Sequence, residues 1–218
     1  MKRWSVILAA IALSVALILA ILELGPAGID LRLPVAENMA SSGVTHPVTA
    51  VLLNFRGYDT LLEVAVLLIA LFGILAVGME PLPSLVKPAD PMLQRLARFA
   101  CPLVIVAGVY LLWAGAFRPG GAFQAGALLA AAIVLLHLSG LWPGWGTPSW
   151  RQRLLLSGGF AVFLAVSVAM MGFGALLEYP QAYAGLLILL IESGLTLSLA
   201  AILAGLFLFL SRDTGGNP

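Results

Sequence analysis

The sequence predicts an all-α integral membrane protein with about six transmembrane helices arranged in two modules. Of its 218 residues, 61% are hydrophobic and only 10% are charged, against roughly 25% charged residues in an ordinary soluble domain. The apolar residues form long runs without the alternation that a membrane barrel requires, which indicates helices. The formal net charge of +1 leaves no basic surface for nucleic acid, so that class of partner is excluded.

Six apolar runs are long enough to cross a bilayer, which takes roughly 20 residues in a helix. We predict spans near residues 4–24, 59–79, 99–117, 122–141, 154–176 and 183–210. The first run exceeds the apolar core of a signal peptide and no cleavage site follows it, so we expect a retained span. The single cysteine, Cys101, cannot form a disulfide within the chain.

The lysine and arginine residues predict the orientation, because cytoplasmic segments of membrane proteins carry an excess of them. With the N-terminus inside, the inner segments hold Lys2, Arg3, Lys87, Arg95, Arg98, Arg151, Arg153 and Arg212. The outer segments hold only Arg32, Arg56 and Arg118. We therefore expect both termini on the cytoplasmic side of the cytoplasmic (inner) membrane.

A proline-rich stretch, EPLPSLVKPADP at residues 80–91, cannot continue a helix and divides the chain. We predict a two-helix module at residues 1–80, a linker at 81–98 and a four-helix module at 99–218. The two modules show no convincing sequence repeat.

The segment from residue 47 to the second predicted span cannot form one continuous helix with that span. A helix from Pro47 to Met79 would be about 50 Å long at 1.5 Å per residue and would overshoot the bilayer. Pro47 suits a first helical turn and Gly57 offers a break. We therefore expect a separate short helix at residues 47–56.

Three charged residues lie at the start of the second predicted span: Arg56, Asp59 and Glu63. Their spacing places them on one face of a helix. Arg56 and Asp59 can form a local ion pair at the membrane surface. Glu63 lies one turn further into the apolar run, where a carboxyl group can load and release a proton or bind a cation. A structural hydrogen bond between helices and an exposed interfacial position are the alternatives for Glu63.

Two further ionisable residues lie within the second module. Glu192 is surrounded by apolar sequence, and an ionisable group there should face protein or water. It either contributes to an ion path or, with Ser193, Thr196 and Ser198 nearby, is a neutral, hydrogen-bonded glutamic acid that fixes a helix contact. His137, near the inner end of the fourth span, either shuttles protons or packs against its neighbours.

RPGGAFQAGALLAAA, residues 118–132, pairs a Pro-Gly-Gly turn with a helix start of glycine and alanine. Small residues let membrane helices approach closely. The stretch is either a tight packing corner or a turn that exposes backbone groups and Gln124 to a permeating ion. No nucleotide loop, nucleophile elbow or zinc motif occurs, so we predict neither an enzyme nor a bound cofactor.

Two of these stretches resemble components of Mrp-type cation/proton antiporters and the related membrane modules of energy-converting hydrogenases. THPVTAVLLNFRGYDTLLE, residues 45–63, is similar to the C-terminal part of the A-type component of Mrp antiporters, in which an apolar helix leads into Phe-Arg-x-x-Asp-Thr-Leu-x-Glu. Leu62 stands where the family often has glycine.

The second module resembles the B-type component of Mrp antiporters, whose turn reads Pro-Gly-Gly-Gly-Phe-Gln-x-Gly. The positions that match this pattern are Pro119, Gly120, Gly121, Phe123, Gln124 and Gly126. Ala122 replaces a glycine. The last span is similar to the final helix of that component, which often begins with Glu-x-Gly, as Glu192 and Gly194 do here.

The resemblance implies a fused accessory subunit of a membrane complex that exchanges sodium ions for protons, or couples such exchange to another reaction. Its partners would be small and large membrane subunits of an Mrp-type or complex I-like assembly, with Na+ and H+ as transported ions. Glu63, supported by Arg56 and Asp59, and Glu192 would contribute carboxyl groups to the ion path. The rivals are a purely structural subunit that joins larger ones and a membrane enzyme.

Overall fold

The computed structural model of the chain describes residues 2–23, 30–76, 90–142 and 149–210, and within them the fold is helical without strands. The α-helices are α1 (Lys2–Leu22), α2 (Arg32–Asn38), α3 (Pro47–Ala50), α4 (Gly57–Ala76), α5 (Pro91–Ala114), α6 (Ala122–Leu138), α7 (Trp150–Met170) and α8 (Ala184–Leu210). A 3₁₀ turn lies at Met39–Ser41 and a π-helical turn at Val51–Phe55.

Each of the six predicted spans coincides with a helix, namely α1, α4, α5, α6, α7 and α8. Among the described residues, three helices are long and apolar enough to cross a membrane: α5, α7 and the Ala184–Leu208 part of α8. Two shorter apolar helices are Ile7–Leu22 of α1 and α6. The chain is a multi-pass helical membrane protein, but the predicted number of six crossings is not confirmed by helix length and composition.

The chain divides into two compact units, Met1–Glu37 and Asn38–Pro218. In the first unit every described side chain of α1 is exposed. The second unit contains α3 to α8. Residues 77–89, which hold most of the proline-rich stretch, lie outside the described residues, so the modules 1–80 and 99–218 stay a prediction.

Helix α5 begins at Pro91 rather than near residue 99, so the last part of the predicted linker is helical. Asp90 is the N-cap, and its Oδ1 accepts a hydrogen bond from the Met92 N–H at 2.9 Å. Pro91 occupies the first turn, where its missing N–H is not needed. Arg95 and Arg98 interrupt the apolar run, which is why the run alone placed the start too late.

Helix α8 is the central helix of the second unit and packs against α6, α7 and α4. Its fully buried side chains include Ile188, Ile191, Leu195 and Leu199. A Cβ atom on Gly159 of α7 would lie 2.6 Å from the carbonyl oxygen of Gly194 in α8. The glycine therefore permits the close approach of α7 and α8.

The predicted break before the second span is confirmed, since the π-helical turn that continues α3 ends at Phe55 and α4 begins at Gly57. A hydrogen bond connects the two sides of this break: the Thr60 hydroxyl of α4 donates to the Leu52 carbonyl of the π-helical turn at 2.6 Å. The hydroxyl of Thr49 donates to the Gly115 carbonyl at 2.5 Å. The Thr49 bond holds the short helical segment against the loop between α5 and α6, and the Thr60 bond ties this segment to the start of α4.

Candidate functional site

A cavity of about 280 Å³ lies in the second unit where the short helical segment, the starts of α4 and α6, and the middle of α8 meet. Its lining residues are Thr49, Leu52, Leu53, Thr60, Glu63, Gly120, Gly121, Ala122, Phe123, Gln124, Glu192 and Leu195. The cavity therefore brings Glu63 of the second predicted span and Glu192 of the last one to the same place.

The two carboxyl groups differ in their exposure to solvent. Glu192 is only 4% exposed and belongs to the closed side of the cavity, together with the buried Thr60 and Gly121. Glu63 and Gln124 are exposed and line its open side. The cavity thus leads from the surface of this chain to a carboxyl group within the packed helices.

The Glu192 carboxyl group lies at the N-terminus of α6, where the backbone N–H of Ala122 donates a hydrogen bond to it. The N-cap residue of α6 is Gly121, which has no side chain that could accept a hydrogen bond from the first N–H groups of the helix. The free N–H groups and the helix dipole make a helix N-terminus favourable for a carboxylate. Helix α8 therefore supplies the capping group that α6 lacks in its own sequence.

The hydroxyl groups that follow Glu192 in sequence do not hold its carboxyl group. Ser193 donates to the carbonyl of Leu189 and Thr196 to the carbonyl of Glu192, each at 2.7 Å. Ser198 donates to the carbonyl of Leu156 in α7. The nearby hydroxyls therefore bond to backbone carbonyls, and the Glu192 carboxyl group meets the Ala122 N–H of the Pro-Gly-Gly turn instead. The choice between an ion path and a helix contact for Glu192 stays a prediction.

The conformation of the Pro-Gly-Gly turn is determined by its close contacts with α5 on one side and with Glu192 of α8 on the other. Gly121 has φ of +114°, which favours glycine, and its N–H donates to the Leu111 carbonyl of α5 at 2.9 Å. A Cβ atom on Gly120 would collide with that same carbonyl oxygen. The turn is thus both a packing corner and the element that presents backbone N–H to Glu192.

Of the remaining residues of the turn motif, some line the cavity and one packs against α8. Phe123 is half-buried and lines the cavity beside Gln124. Gly126 does not line it; a Cβ atom there would lie 2.9 Å from the Cβ of Leu199 in α8. Its role in the structure is the close contact of α6 with α8.

The other predicted site residues lie elsewhere. Arg56 and Asp59 form the predicted ion pair, with 2.5 Å between Nη2 and Oδ2, but both side chains are exposed and neither lines the cavity. His137 is about 20 Å from Gln124 along α6 at 1.5 Å per residue. Its Nδ1 is buried without a hydrogen-bond partner in the described part of the chain.

Sequence reasoning missed the hydroxyl groups of Thr49 and Thr60. Both residues are buried in the cavity lining. Each donates its proton to a backbone carbonyl, which leaves the lone pairs of the hydroxyl oxygen free as acceptors. The position of Thr60 one turn before Glu63 was the available signal.

The lining groups define what the cavity can bind. Carboxylate, hydroxyl and carboxamide oxygens are ligands of hard cations, and carboxyl groups also accept protons. Within the described residues there is no cluster of three or more His, Cys, Asp and Glu side chains that would hold a metal ion. The oxygen atoms of the lining are of the kind that bind a small hard cation or a proton.

These features define the class of protein: a multi-pass helical membrane protein whose second unit encloses a carboxyl-lined cavity. The chain belongs to the family described as the domain related to the MnhB subunit of Na+/H+ antiporter, whose family model matches residues 92–211. That match contains the Pro-Gly-Gly turn and the last helix, so the resemblance to Mrp-type antiporter components is confirmed. No curated protein matches the chain in sequence.

Two solved structures share the fold. A chain of the membrane-bound sulfane sulfur reductase, an archaeal respiratory membrane complex, is 21% identical with a TM-score of 0.69, covering 94% of this chain and 97% of that one. A chain of the Mrp complex from Dietzia sp. is 20% identical with a TM-score of 0.68, covering 100% of this chain. The present chain spans 27% of that Mrp chain. At these identities the likeness establishes the fold, and the match to the Mrp chain includes residues 45–63.

Proposed function

We propose that the chain is an accessory membrane subunit of a multi-subunit cation/proton antiporter of the Mrp type, or of a related ion-translocating complex, and contributes carboxyl groups to its ion path. The observation that carries the proposal is the cavity that both Glu63 and Glu192 line. Membership of the MnhB-related family supports it. The two structural neighbours belong to multi-subunit membrane complexes, which supports partners of that kind.

The proposed path runs from the exposed carboxyl group of Glu63 to the buried one of Glu192. The hydroxyl oxygens of Thr49 and Thr60 replace part of the hydration shell of an entering cation. At Glu192 the Ala122 N–H stabilises the carboxylate after an ion leaves. Because a proton and a sodium ion compete for the same carboxylate oxygens, uptake of one favours release of the other.

In this proposal the chain works only within its complex, in the cytoplasmic membrane and with both termini inside. The ions Na+ and H+ are cargo, and no cofactor or catalytic group of this chain takes part. Arg56 and Asp59 support the path indirectly by fixing the start of α4 through their ion pair.

The test measures sodium/proton exchange in membrane vesicles that contain the complete complex. We expect Glu63→Gln and Glu192→Gln each to lower strongly the exchange measured per assembled complex, because the carboxamide cannot take up a proton or carry the negative charge. Glu37→Gln is the matched control, since Glu37 is an exposed carboxyl residue of α2 outside the cavity lining.

Two other results would contradict the proposal in different ways. Loss of partner subunits from the purified complex in both cavity variants, with normal exchange per assembled complex, would assign the chain to the structural class. Unchanged exchange and unchanged assembly in both variants would show that neither carboxyl group lies on an ion path.

A further inference from the structure

The open side of the cavity carries two polar side chains without partners. Glu63 and Gln124 both line the cavity and both are exposed. Neither side chain makes a hydrogen bond or an ion pair within the described residues. Arg56, one helical turn before Asp59, is engaged by that residue at 2.5 Å and does not neutralise Glu63.

On the exposed surface of α4, Glu63 lies between the Arg56–Asp59 ion pair and an apolar patch. Leu62 and Val66 are each 63% exposed and Ile69 is 67% exposed. Glu63 is the seventh residue of α4, about 9 Å along its axis from Gly57. A carboxylate that faces hydrocarbon is strongly unfavourable unless another group compensates its charge.

We propose that this surface, defined by Leu62, Glu63, Val66, Ile69 and Gln124 and called the α4 face, docks a transmembrane helix of another subunit that presents a lysine or arginine to Glu63. The apolar residues supply the packing surface, and the basic side chain supplies the counter-charge. An uncharged helix would exclude water and leave the carboxylate unpaired, which is the costly arrangement. The docked helix would also form the missing wall of the cavity.

Two other occupants match the α4 face less well. Helix α1 carries no lysine or arginine between Trp4 and Leu22, so it has no counter-charge to offer at membrane depth. A second copy of the same face would bring Glu63 against Glu63, because a two-fold interface pairs the same patch of both copies. The charge of Glu63 therefore selects a different chain.

The inference rests on the proposed function only in that the chain is one subunit of a larger membrane complex. It is tested by placing the photo-crosslinking residue p-benzoylphenylalanine at Val66 in the complete complex and irradiating native membranes. We expect a cross-link to a membrane segment of another subunit that contains a lysine or arginine. Cross-links confined to lipid, to α1, to a second copy or to a segment without a basic residue would overturn the inference.

Charge reversal then tests the pairing itself. Glu63→Lys should lower co-purification of the cross-linked partner by roughly tenfold or more, and reversing the basic residue of that partner to glutamate should restore it. Asp59→Lys is the control, because Asp59 pairs with Arg56, and the same partner reversal should not rescue it. Failure of the Glu63 rescue contradicts the pairing. The cross-link reports docking whether or not exchange depends on Glu63, so the two proposals can fail separately.

Discussion

Gly121 lies directly against the carboxyl group of Glu192, and a Cβ atom built on this glycine would be 2.7 Å from Oε1. The positive φ of Gly121 turns the chain so that α6 starts with the Ala122 N–H facing the same carboxyl group. The Pro-Gly-Gly motif and the glutamate of the last helix are far apart in sequence, yet they form one structural unit.

The first prediction concerns this contact. Gly121→Ala should destabilise the protein by about 1–3 kcal/mol, because the backbone conformation is strained for alanine and the new methyl group displaces the Glu192 carboxyl group. Thermal unfolding of the complex in mild detergent measures the first effect, and sodium/proton exchange the second. Gly73→Ala is the control, since a Cβ atom there meets nothing within 4 Å. Equal behaviour of the two variants would disprove the steric argument.

A second prediction separates the capping role of Glu192 from its charge. Glu192→Gln keeps an oxygen acceptor for the Ala122 N–H, so assembly and thermal stability should remain close to normal. Glu192→Leu removes the acceptor and should destabilise the protein by about 1–3 kcal/mol, the typical penalty for a buried polar group left unsatisfied. Unfolding midpoints of the two variants check this. A leucine variant as stable as the glutamine variant would mean that the capping contact is unimportant.

Two adjacent glycines of α7 give a third, internally controlled prediction. A Cβ atom on Gly159 would lie 2.6 Å from both the Gly194 carbonyl oxygen and the Ser198 Cβ, whereas Gly158 has open space. Gly159→Ala should force α7 and α8 apart and destabilise the protein by about 1–3 kcal/mol. Gly158→Ala should leave stability unchanged or raise it by up to about 1 kcal/mol. The reverse order of unfolding midpoints would refute the packing of these helices.

The fourth prediction concerns the surface ion pair. Asp59→Asn removes the partner of Arg56, but both side chains are more than half exposed. The free energy of unfolding should therefore fall by less than about 1 kcal/mol, and by less still at high salt, because ions screen exposed charges. Unfolding measured at two salt concentrations checks both statements. A larger, salt-independent loss would show that the pair is covered in the assembled complex.

The six long helices were largely predictable because each is a long apolar run bounded by proline, glycine or charge, whereas the seven-residue α2 has no such run. The start of α5 was missed since Arg95 and Arg98 interrupt the run, although Asp90 and Pro91 form a recognisable helix start. The π-helical turn at Val51–Phe55 has no sequence signal comparable to a capping residue. The backbone bond that marks this turn runs from the Arg56 N–H to the Val51 carbonyl at 2.8 Å.

The individual residues of the site could be predicted from the sequence, but their contacts with one another could not. Glu63, Gln124 and Glu192 stand out because polar groups are rare in such a sequence. The partner of Glu192 could not be identified from the sequence, because serine and threonine hydroxyls in helices bond readily to carbonyls one turn earlier, as Ser193 and Thr196 do. The true partner, Ala122, has no polar side chain to reveal it.

The central position of α8 also sets an order of events during biogenesis. The ribosome makes α4, α6 and α7 before it makes the helix against which all three pack. Until α8 enters the bilayer, the glycine surfaces of α6 and α7 lack the helix that they fit, and the start of α6 has no acceptor for the Ala122 N–H. Independently inserted helices that associate later are the expected course for a membrane protein. The insertion of α8 is thus the step after which α4, α6 and α7 can pack together around one helix.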